Sequence, residues 1–210
     1  MQIDENTSLE IRQRAAELCA AGRELYAHGM VPATSGNLST RIRDGRILIT
    51  VSGTHKGRLE DADLMLLDES GQPEDQGQPS SETALHLQLY RRFPEVGAVL
   101  HPHSVHATLL SRLDPRDLVL ENYELLKALP GITSHASRVT LPVFANDQDN
   151  DRLAAGVDTW MEQYGPPPGY LICGHGFYTW GDSINAALHH VEALEFLFDC
   201  ELRLRGVSGS

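Results

Sequence analysis

The chain has 210 residues, of which 41% are hydrophobic and 22% are charged, and its formal net charge is −12. This length and composition predict a globular protein with a sizeable core, and we expect a single domain over residues 1–210. The acidic balance argues against nonspecific nucleic-acid binding, which depends on Lys and Arg neutralising phosphates. No apolar run reaches the ~18 residues of a membrane span, so we expect no membrane partner.

The cysteines, Cys19, Cys173 and Cys200, are odd in number and far apart. They do not form the paired pattern of a disulfide framework. The first ten residues, MQIDENTSLE, lack the basic start and apolar stretch of a secretory signal. We therefore expect a cytoplasmic protein with reduced thiols.

Hydrophobic periodicity and turn signals predict alternating helices and strands. The first expected elements are a helix at 8–28 closed by Gly29, a hairpin of strands 37–43 and 46–52 around Asp44-Gly45, and a strand at 64–67. A helix from Ser80 to about Phe93, a strand at 96–101, a short helix capped by Ser104, and a strand running into a short helix at 118–126 should follow. The last expected elements are a strand at 138–144 that Pro142 places at an edge or bulge, a helix at 147–163, two strands around His175 within 170–180, and a helix at 183–204. Because hairpins are mixed with helices that follow strands, we expect an α/β fold. The expected architecture is a three-layer α/β/α sandwich with a mostly antiparallel or mixed central sheet.

A metal site is predicted where the strand at 96–101 ends. His101 and His103 are two residues apart, so on a strand both imidazoles face the same side. His175, between two glycines, is the best third ligand, and three protein ligands leave an open position for catalysis. Imidazole ligands favour zinc, iron, nickel or copper over magnesium. His106 is a weaker competitor.

Two further interpretations concern Cys173 and the remaining histidines. Cys173 is the one plausible fourth ligand of a closed structural zinc site, but we expect it in the core. The remaining histidines, His86 among them, are expected to be ordinary core or surface residues.

Three turns rich in small residues could bind an anion through hydroxyls and free backbone N–H groups. They are Thr34-Ser35-Gly36-Asn37, Ser52-Gly53 and Ser80-Ser81, and Lys56 adds a positive charge after the second. Each turn alone is a weak signal, because ordinary turns and helix caps use the same residues.

Two glutamates are acid/base candidates, although neither stands out in its local sequence. Glu82 lies at a helix start, where the helix dipole favours a carboxylate in any case. Glu124 lies in an apolar stretch and could equally be a surface residue paired with Lys127 at i+3.

Taken together, these motifs resemble the class II aldolase/adducin family. The segments TSGNLS (34–39), TVSG (50–53), SSE (80–82), HPHS (101–104) and GHG (174–176) occur in the family's order, and the likeness covers nearly the whole chain. Longer segments are similar to the dehydratase branch of that family; they are VSGTHKGRL (51–59), PSSETALHLQLYR (79–91), AVLHPHSVHATLLSRL (98–113), LENYELLKALPGITSH (120–135) and GYLICGHGFYTWG (169–181).

The resemblance implies one zinc ion per subunit on His101, His103 and His175. It also implies phosphate binding by the turns at 34–37, 52–53 and 80–81, and a homotetramer with active sites near subunit boundaries. The implied partner is a small sugar phosphate that the enzyme dehydrates. An aldolase or 4-epimerase on the same scaffold is the alternative. A non-catalytic scaffold, as in adducin, is disfavoured by the intact histidine triad.

The resemblance leaves the roles of the two glutamates open. The aldolase branch uses the glutamate at the position of Glu82, and the dehydratase branch the one matching Glu124. Some dehydratases have cysteine at position 82, whereas this chain keeps both carboxylates. An acid near neutral pH needs a raised pKa, and we expect Leu125, Leu126 and Leu129 to raise that of Glu124 by desolvation.

Overall fold

A computed structural model describes residues 5–74 and 77–208 of the protein. The α-helices in those residues are α1 (Glu5–Ala27), α2 (Thr83–Arg92), α3 (Val105–Leu113), α4 (Asn150–Tyr164) and α5 (Ile184–Ser208). The strands there are β1 (Asn37–Arg41), β2 (Ile47–Thr50), β3 (Leu64–Leu67), β4 (Ala98–His101), β5 (Leu118–Glu121), β6 (Arg138–Leu141), β7 (Val143–Phe144), β8 (Gly169–Ile172) and β9 (Gly176–Gly181). Short 3-10 helices are formed by Lys56–Arg58, Asp61–Asp63 and Glu124–Ala128.

The central sheet of the described residues has seven strands in the order β3-β2-β1-β4-β9-β8-β7. Its strand pairs are antiparallel apart from β7 with β8, which is parallel. Strands β5 and β6 form a separate antiparallel pair. The prediction of a mostly antiparallel, mixed sheet is therefore confirmed.

Alternating side chains of the strands fill a core on each face of the sheet. On β2, Ile47 and Ile49 join a buried cluster that includes Leu85 of α2 and Val157 of α4. Leu48 between them joins the opposite cluster, which contains residues of α1, α3 and α5. Helices thus cover both faces, and the three-layer α/β/α prediction is confirmed. None of the helices in the described ranges combines the length and apolar character that crossing a membrane requires.

Pro142 divides the strand expected at 138–144 between two sheets. Residues before it, in β6, pair with β5, and residues after it, in β7, pair with β8. Proline has no N–H for a ladder, but its carbonyl still accepts a hydrogen bond from the Leu171 N–H at 2.9 Å. The chain therefore changes sheets at the residue that cannot donate.

The second helix begins three residues later than the predicted start at Ser80. The Ser80 carbonyl accepts the N–H of Thr83 at 3.0 Å, and its hydroxyl accepts the N–H of Glu82 at 3.3 Å. These hydrogen bonds close a turn that precedes the helix. The turn sets Glu82 at the N-cap of α2.

A matched pair of substitutions on α5 tests which of its faces is buried. The Phe198 ring is fully buried and packs edge-on against the Phe177 ring, with 5.2 Å between the ring centroids. Phe196, by contrast, is 55% exposed. We expect Phe198→Ala to lower the free energy of unfolding by about 3–5 kcal/mol. Phe196→Ala should change it by less than about 0.5 kcal/mol. Urea denaturation measures both, and equal losses would contradict this orientation of the helix.

Candidate metal centre

Strands β4 and β9, neighbours in the sheet, bring the predicted histidines together. His101 ends β4, and His175 directly precedes β9. The Phe177 N–H donates to the Pro102 carbonyl at 3.1 Å, which ties the two strand ends. A Cβ at Gly176 would overlap the Pro102 carbonyl oxygen, so only glycine permits this approach.

His101, His103, His175 and Glu82 converge on one point. Each offers a ligand atom, and these four atoms lie within 4.8 Å of one another. The Nε2 atoms of His101 and His103 are 2.9 Å apart. The Glu82 carboxylate lies 3.2 Å from the Nε2 of His175 and 3.5 Å from that of His101. The structure thus gathers the three predicted ligands and adds Glu82 as a fourth donor.

The protonation of His101 and His103 suits a metal. The His101 Nδ1 must donate to the Phe177 carbonyl, 2.8 Å away, because that oxygen can only accept. Its Nε2 therefore carries a lone pair toward the centre. Burial, followed by repulsion from His175, holds the pKa of His101 well below its usual range. Burial, followed by repulsion from His101, lowers the pKa of His103 to about 3.

Neutral imidazoles are the form that binds metals, and carboxylates bind them ionised. Three imidazoles and one carboxylate form a donor set that zinc and related divalent ions accept. The described residues therefore fit a divalent metal ion. The coarse prediction of a metal site at the strand ends is supported by this geometry.

Beside the metal centre lies a cavity of about 270 Å³ that collects the predicted anion-binding turns. Its lining includes Thr34, Ser35, Gly36, Asn37, Ser52, Gly53, Lys56, Ser80, Glu82 and His103. Gly36 has φ +73°, and a Cβ there would lie 2.6 Å from the His101 carbonyl oxygen. A side chain at position 36 would therefore push the first turn away from the metal strand.

Lys56 is the cation of this cavity, although the side chain as a whole is buried. Its ammonium donates to the carbonyls of Thr34 at 3.0 Å and Thr54 at 2.8 Å. An ammonium has three N–H donors, and the described contacts use two of them, which leaves one for a ligand. Burial lowers the pKa of Lys56 to about 8, and the negative charges of Glu82 and Asp63 oppose that shift.

Some predicted candidates lie elsewhere. Ser81 does not line the cavity; it is exposed, and its carbonyl accepts the Asn150 side-chain amide at 2.9 Å. His106 faces α5, where its Nδ1 lies 2.6 Å from Glu195. Cys173 is half-buried, and its thiol donates to the Ser111 carbonyl at 3.2 Å. Neither His106 nor Cys173 belongs to the four-residue cluster.

The expected pKa of Glu124 is wrong for the single chain. Its carboxylate is 73% exposed and pairs with the Lys127 ammonium, while His135 lies 3.9 Å away. The Lys127 hydrogen bond lowers the pKa of Glu124 and outweighs the small desolvation. The neighbouring Leu126 and Leu129 turn into the core, so they do not cover the carboxylate.

Two features of the site escaped the sequence interpretation. The Phe177 carbonyl, which orients His101, leaves no side-chain signal. The Tyr178 ring stacks on the His101 imidazole with 4.0 Å between centroids. Strand alternation could have indicated Tyr178, because it follows Gly176 by two residues and shares its side of β9.

Comparisons with known proteins agree with this architecture. The family model described as "Class II Aldolase and Adducin N-terminal domain" matches residues 16–202. A protein of Methylococcus capsulatus named methylthioribulose-1-phosphate dehydratase is 57% identical over 198 residues, covering 94% of this chain and 97% of its own. One of the same name from Pseudomonas fluorescens is 53% identical over 202 residues, covering 95% and 97%.

Among solved structures, L-fuculose-1-phosphate aldolase of Thermus thermophilus superposes with a TM-score of 0.74 at 26% identity. That likeness covers 95% of this chain and 97% of the aldolase. The sequence match and the shared fold lead to one conclusion: this chain belongs to the class II aldolase and adducin family.

Proposed function

We propose that the chain is a metal-dependent lyase that dehydrates 5-methylthioribulose 1-phosphate to 2,3-diketo-5-methylthiopentyl 1-phosphate in methionine salvage. The observation that carries the proposal is that the metal centre and the small-residue cavity share His103 and Glu82. A phosphate bound in the cavity would hold the adjoining ketone beside the metal ligands. Relatives named for this activity at 57% and 53% identity support the choice of substrate.

We propose zinc as the ion, one per subunit, on His101, His103 and His175. A bound ion would supply Lewis acidity that polarises the ketone next to the departing proton. The proposed phosphate and substrate-binding residues are Thr34, Ser35, Gly36, Asn37, Ser52, Gly53, Lys56, Ser80 and Ser81. Eight of these nine line the cavity, and Ser81 adjoins it in sequence. We also propose that the enzyme is a single domain and that it is cytoplasmic; the free cysteines support a reducing compartment.

The reaction removes the C3 proton and the C4 hydroxyl as water, and the resulting enol tautomerises to the diketone. The elimination itself needs two proton transfers, one from C3 and one to the departing hydroxyl, and the chain offers two carboxylates for them. Glu82 stands at the metal centre, where Asn37 donates to it at 2.6 Å. We assign Glu124 as the main acid/base and Glu82 as the second catalytic carboxylate.

Glu124 can serve this chemistry if it acts on another copy of the chain. Its exposed position on a short 3-10 helix is suited to a subunit boundary. Val105, Leu109 and Leu113 form an exposed apolar row along α3, which starts directly after the HPHS segment. These features support the homotetramer with shared active sites. In such a boundary Glu124 would lose solvent, which raises a carboxylate pKa.

An aldolase or 4-epimerase remains the second candidate, and Glu82 is the observation that favours it. This carboxylate lies among the metal ligands, whereas Glu124 lies on the surface of the single chain. The same centre would then break the substrate's C3–C4 bond or invert the configuration at C4, instead of removing the hydroxyl there.

Product analysis by phosphorus and proton NMR tests the proposal. With zinc-loaded protein and 5-methylthioribulose 1-phosphate we expect a diketone phosphate, and we expect none after chelation. His101→Ala should lose zinc and activity together, because it removes a ligand. His106→Gln is the matched control, since His106 faces α5, and it should retain both. An intact substrate, with splitting or C4 inversion of a simple ketose phosphate, would replace the dehydratase with the second candidate.

Substitution of Glu124 tests its assignment. We expect Glu124→Gln to retain zinc but to lower kcat by about 100- to 10,000-fold, the range for loss of a general acid or base. Glu121→Gln is the control, because Glu121 is an exposed glutamate paired with Arg138 on the adjacent strand. Near-normal turnover by Glu124→Gln would remove the assignment.

A mixing experiment extends this test to the subunit boundary. The inactive His101→Ala and Glu124→Gln proteins, unfolded and refolded together, should regain part of the activity if one copy supplies Glu124 to the centre of another. Absence of recovery in mixed oligomers would show that each active site takes both residues from the same chain.

The pH dependence of kcat/KM tests the cation of the cavity. The pKa of Lys56 is about 8 in the free protein, so its charge is present below pH 8 and lost as the pH rises through that value. A phosphate monoester, with a second pKa of about 6, stays dianionic over this range. We expect kcat/KM to fall above pH 8. Lys56→Gln should remove this limb and lower kcat/KM at pH 7 by about 10- to 100-fold.

Arg58→Gln is the control, because Arg58 belongs to the same 3-10 helix but is exposed. An alkaline limb that persists in Lys56→Gln would show that another group titrates there.

A further inference from the structure

A line of polar side chains runs from the metal centre into the core, on the sheet face that α2 covers. Its members, in order from the centre, are Glu82, Asn37, His86, Ser39 and Tyr90. All but Glu82 are buried. Buried polar groups are costly unless their hydrogen bonds are complete, so the protons in this line must have a consistent order.

The order can be deduced from the Glu82 end. An ionised carboxylate only accepts, so the Asn37 atom 2.6 Å from its Oε2 must be the amide nitrogen Nδ2. The amide oxygen Oδ1 of Asn37 then faces the Nε2 of His86, with which it forms a hydrogen bond. Because Oδ1 only accepts, His86 must carry its proton on Nε2.

The order deduced from the other end is the same. Burial lowers the pKa of His86 to about 4, so its ring is neutral near pH 7 and has a single N–H. Its Nδ1 therefore accepts from the Ser39 hydroxyl at 2.7 Å. The Tyr90 hydroxyl lies 2.9 Å from the Ser39 oxygen and receives a backbone hydrogen bond from Val99, so its own proton is free to point to Ser39.

We propose that His86 is a positioning residue: as the Nε2–H tautomer it fixes the Asn37 amide so that Asn37 donates to Glu82 and holds that carboxylate at the metal centre. Donors then point along the whole line toward Glu82. This inference deepens the proposed function, because it adds a residue that acts on the metal site through two others. It rests on the metal centre and not on which reaction occurs there.

The consequence of losing the Nε2–H follows from the chemistry of the amide. Without that donor the Asn37 oxygen loses its described partner, and only the bonds from its nitrogen to Glu82 and, at 3.3 Å, to the Ser80 hydroxyl hold the amide. The amide can then turn or shift, so Glu82 loses a donor of fixed position. The Glu82 carboxylate would be held less firmly at the centre, while the three histidine ligands at the end of β4 and beside the start of β9 would stay.

Two substitutions of similar polarity separate this role from simple packing. A glutamine amide nitrogen reaches about as far as the Nε2 of histidine, so His86→Gln can keep the donor to Asn37. An asparagine amide ends at the level of Nδ1, so His86→Asn loses it. We expect His86→Asn to weaken zinc binding by about 10- to 100-fold, as for other partners that orient metal ligands. His86→Gln should bind zinc nearly as tightly as the unsubstituted protein.

The experiment measures zinc affinity by competition with a chromophoric chelator, and the tautomer by long-range proton–nitrogen NMR of the labelled, zinc-loaded protein. The His86 signal is identified by its absence from His86→Gln, and we expect the neutral Nε2–H form. Equal zinc affinities of the two variants, or a His86 protonated on Nδ1, would overturn the proposal. If His86→Asn does not fold, the tautomer decides alone. Neither readout needs turnover, so a failed dehydratase assay would leave both intact.

Discussion

The hydrogen bonds between the ends of β4 and β9 are the constraint on which the metal centre depends. His101 donates to the Phe177 carbonyl, and Phe177 in turn donates to the Pro102 carbonyl. One backbone residue thereby sets the direction of the first ligand and the spacing to His175. The approach needs Gly176, because a side chain there would occupy the position of the Pro102 oxygen. The sheet thus holds His101 and His103 in a buried position that disfavours their charged forms.

The turns proposed to bind the phosphate line one cavity of this acidic protein. Backbone turns and hydroxyls supply most of the donors, and Lys56 supplies the positive charge. Burial lowers the pKa of Lys56, and the negative charge of Glu82 opposes that shift. The proposed phosphate cavity and the candidate metal centre are consequently coupled electrostatically through Glu82. Gly36 couples them sterically as well, since its turn contacts the His101 carbonyl.

The sequence was most informative where function depends on local spacing. The HPH segment and the glycine-flanked His175 predicted three histidines that the structure brings together. Pro142 predicted an edge or a bulge, and the structure divides its strand between two sheets there. Properties that depend on packing were harder to predict. The leucines around Glu124 suggested desolvation, but they turn inward and leave the carboxylate to Lys127. His86 had no local signal, because its partners lie 47 and 49 positions away along the chain.

The placement of the two carboxylates bears on how new reactions arise on this scaffold. Glu82 lies at the start of α2 and the histidines at or beside the ends of β4 and β9, where most changes would disturb the core. Glu124 lies on an exposed 3-10 helix whose sequence is free of such packing demands apart from a few inward leucines. If Glu124 is the acid, as proposed, a change of reaction on this scaffold can begin with substitutions at this outer turn, which leave the sheet and the metal ligands in place.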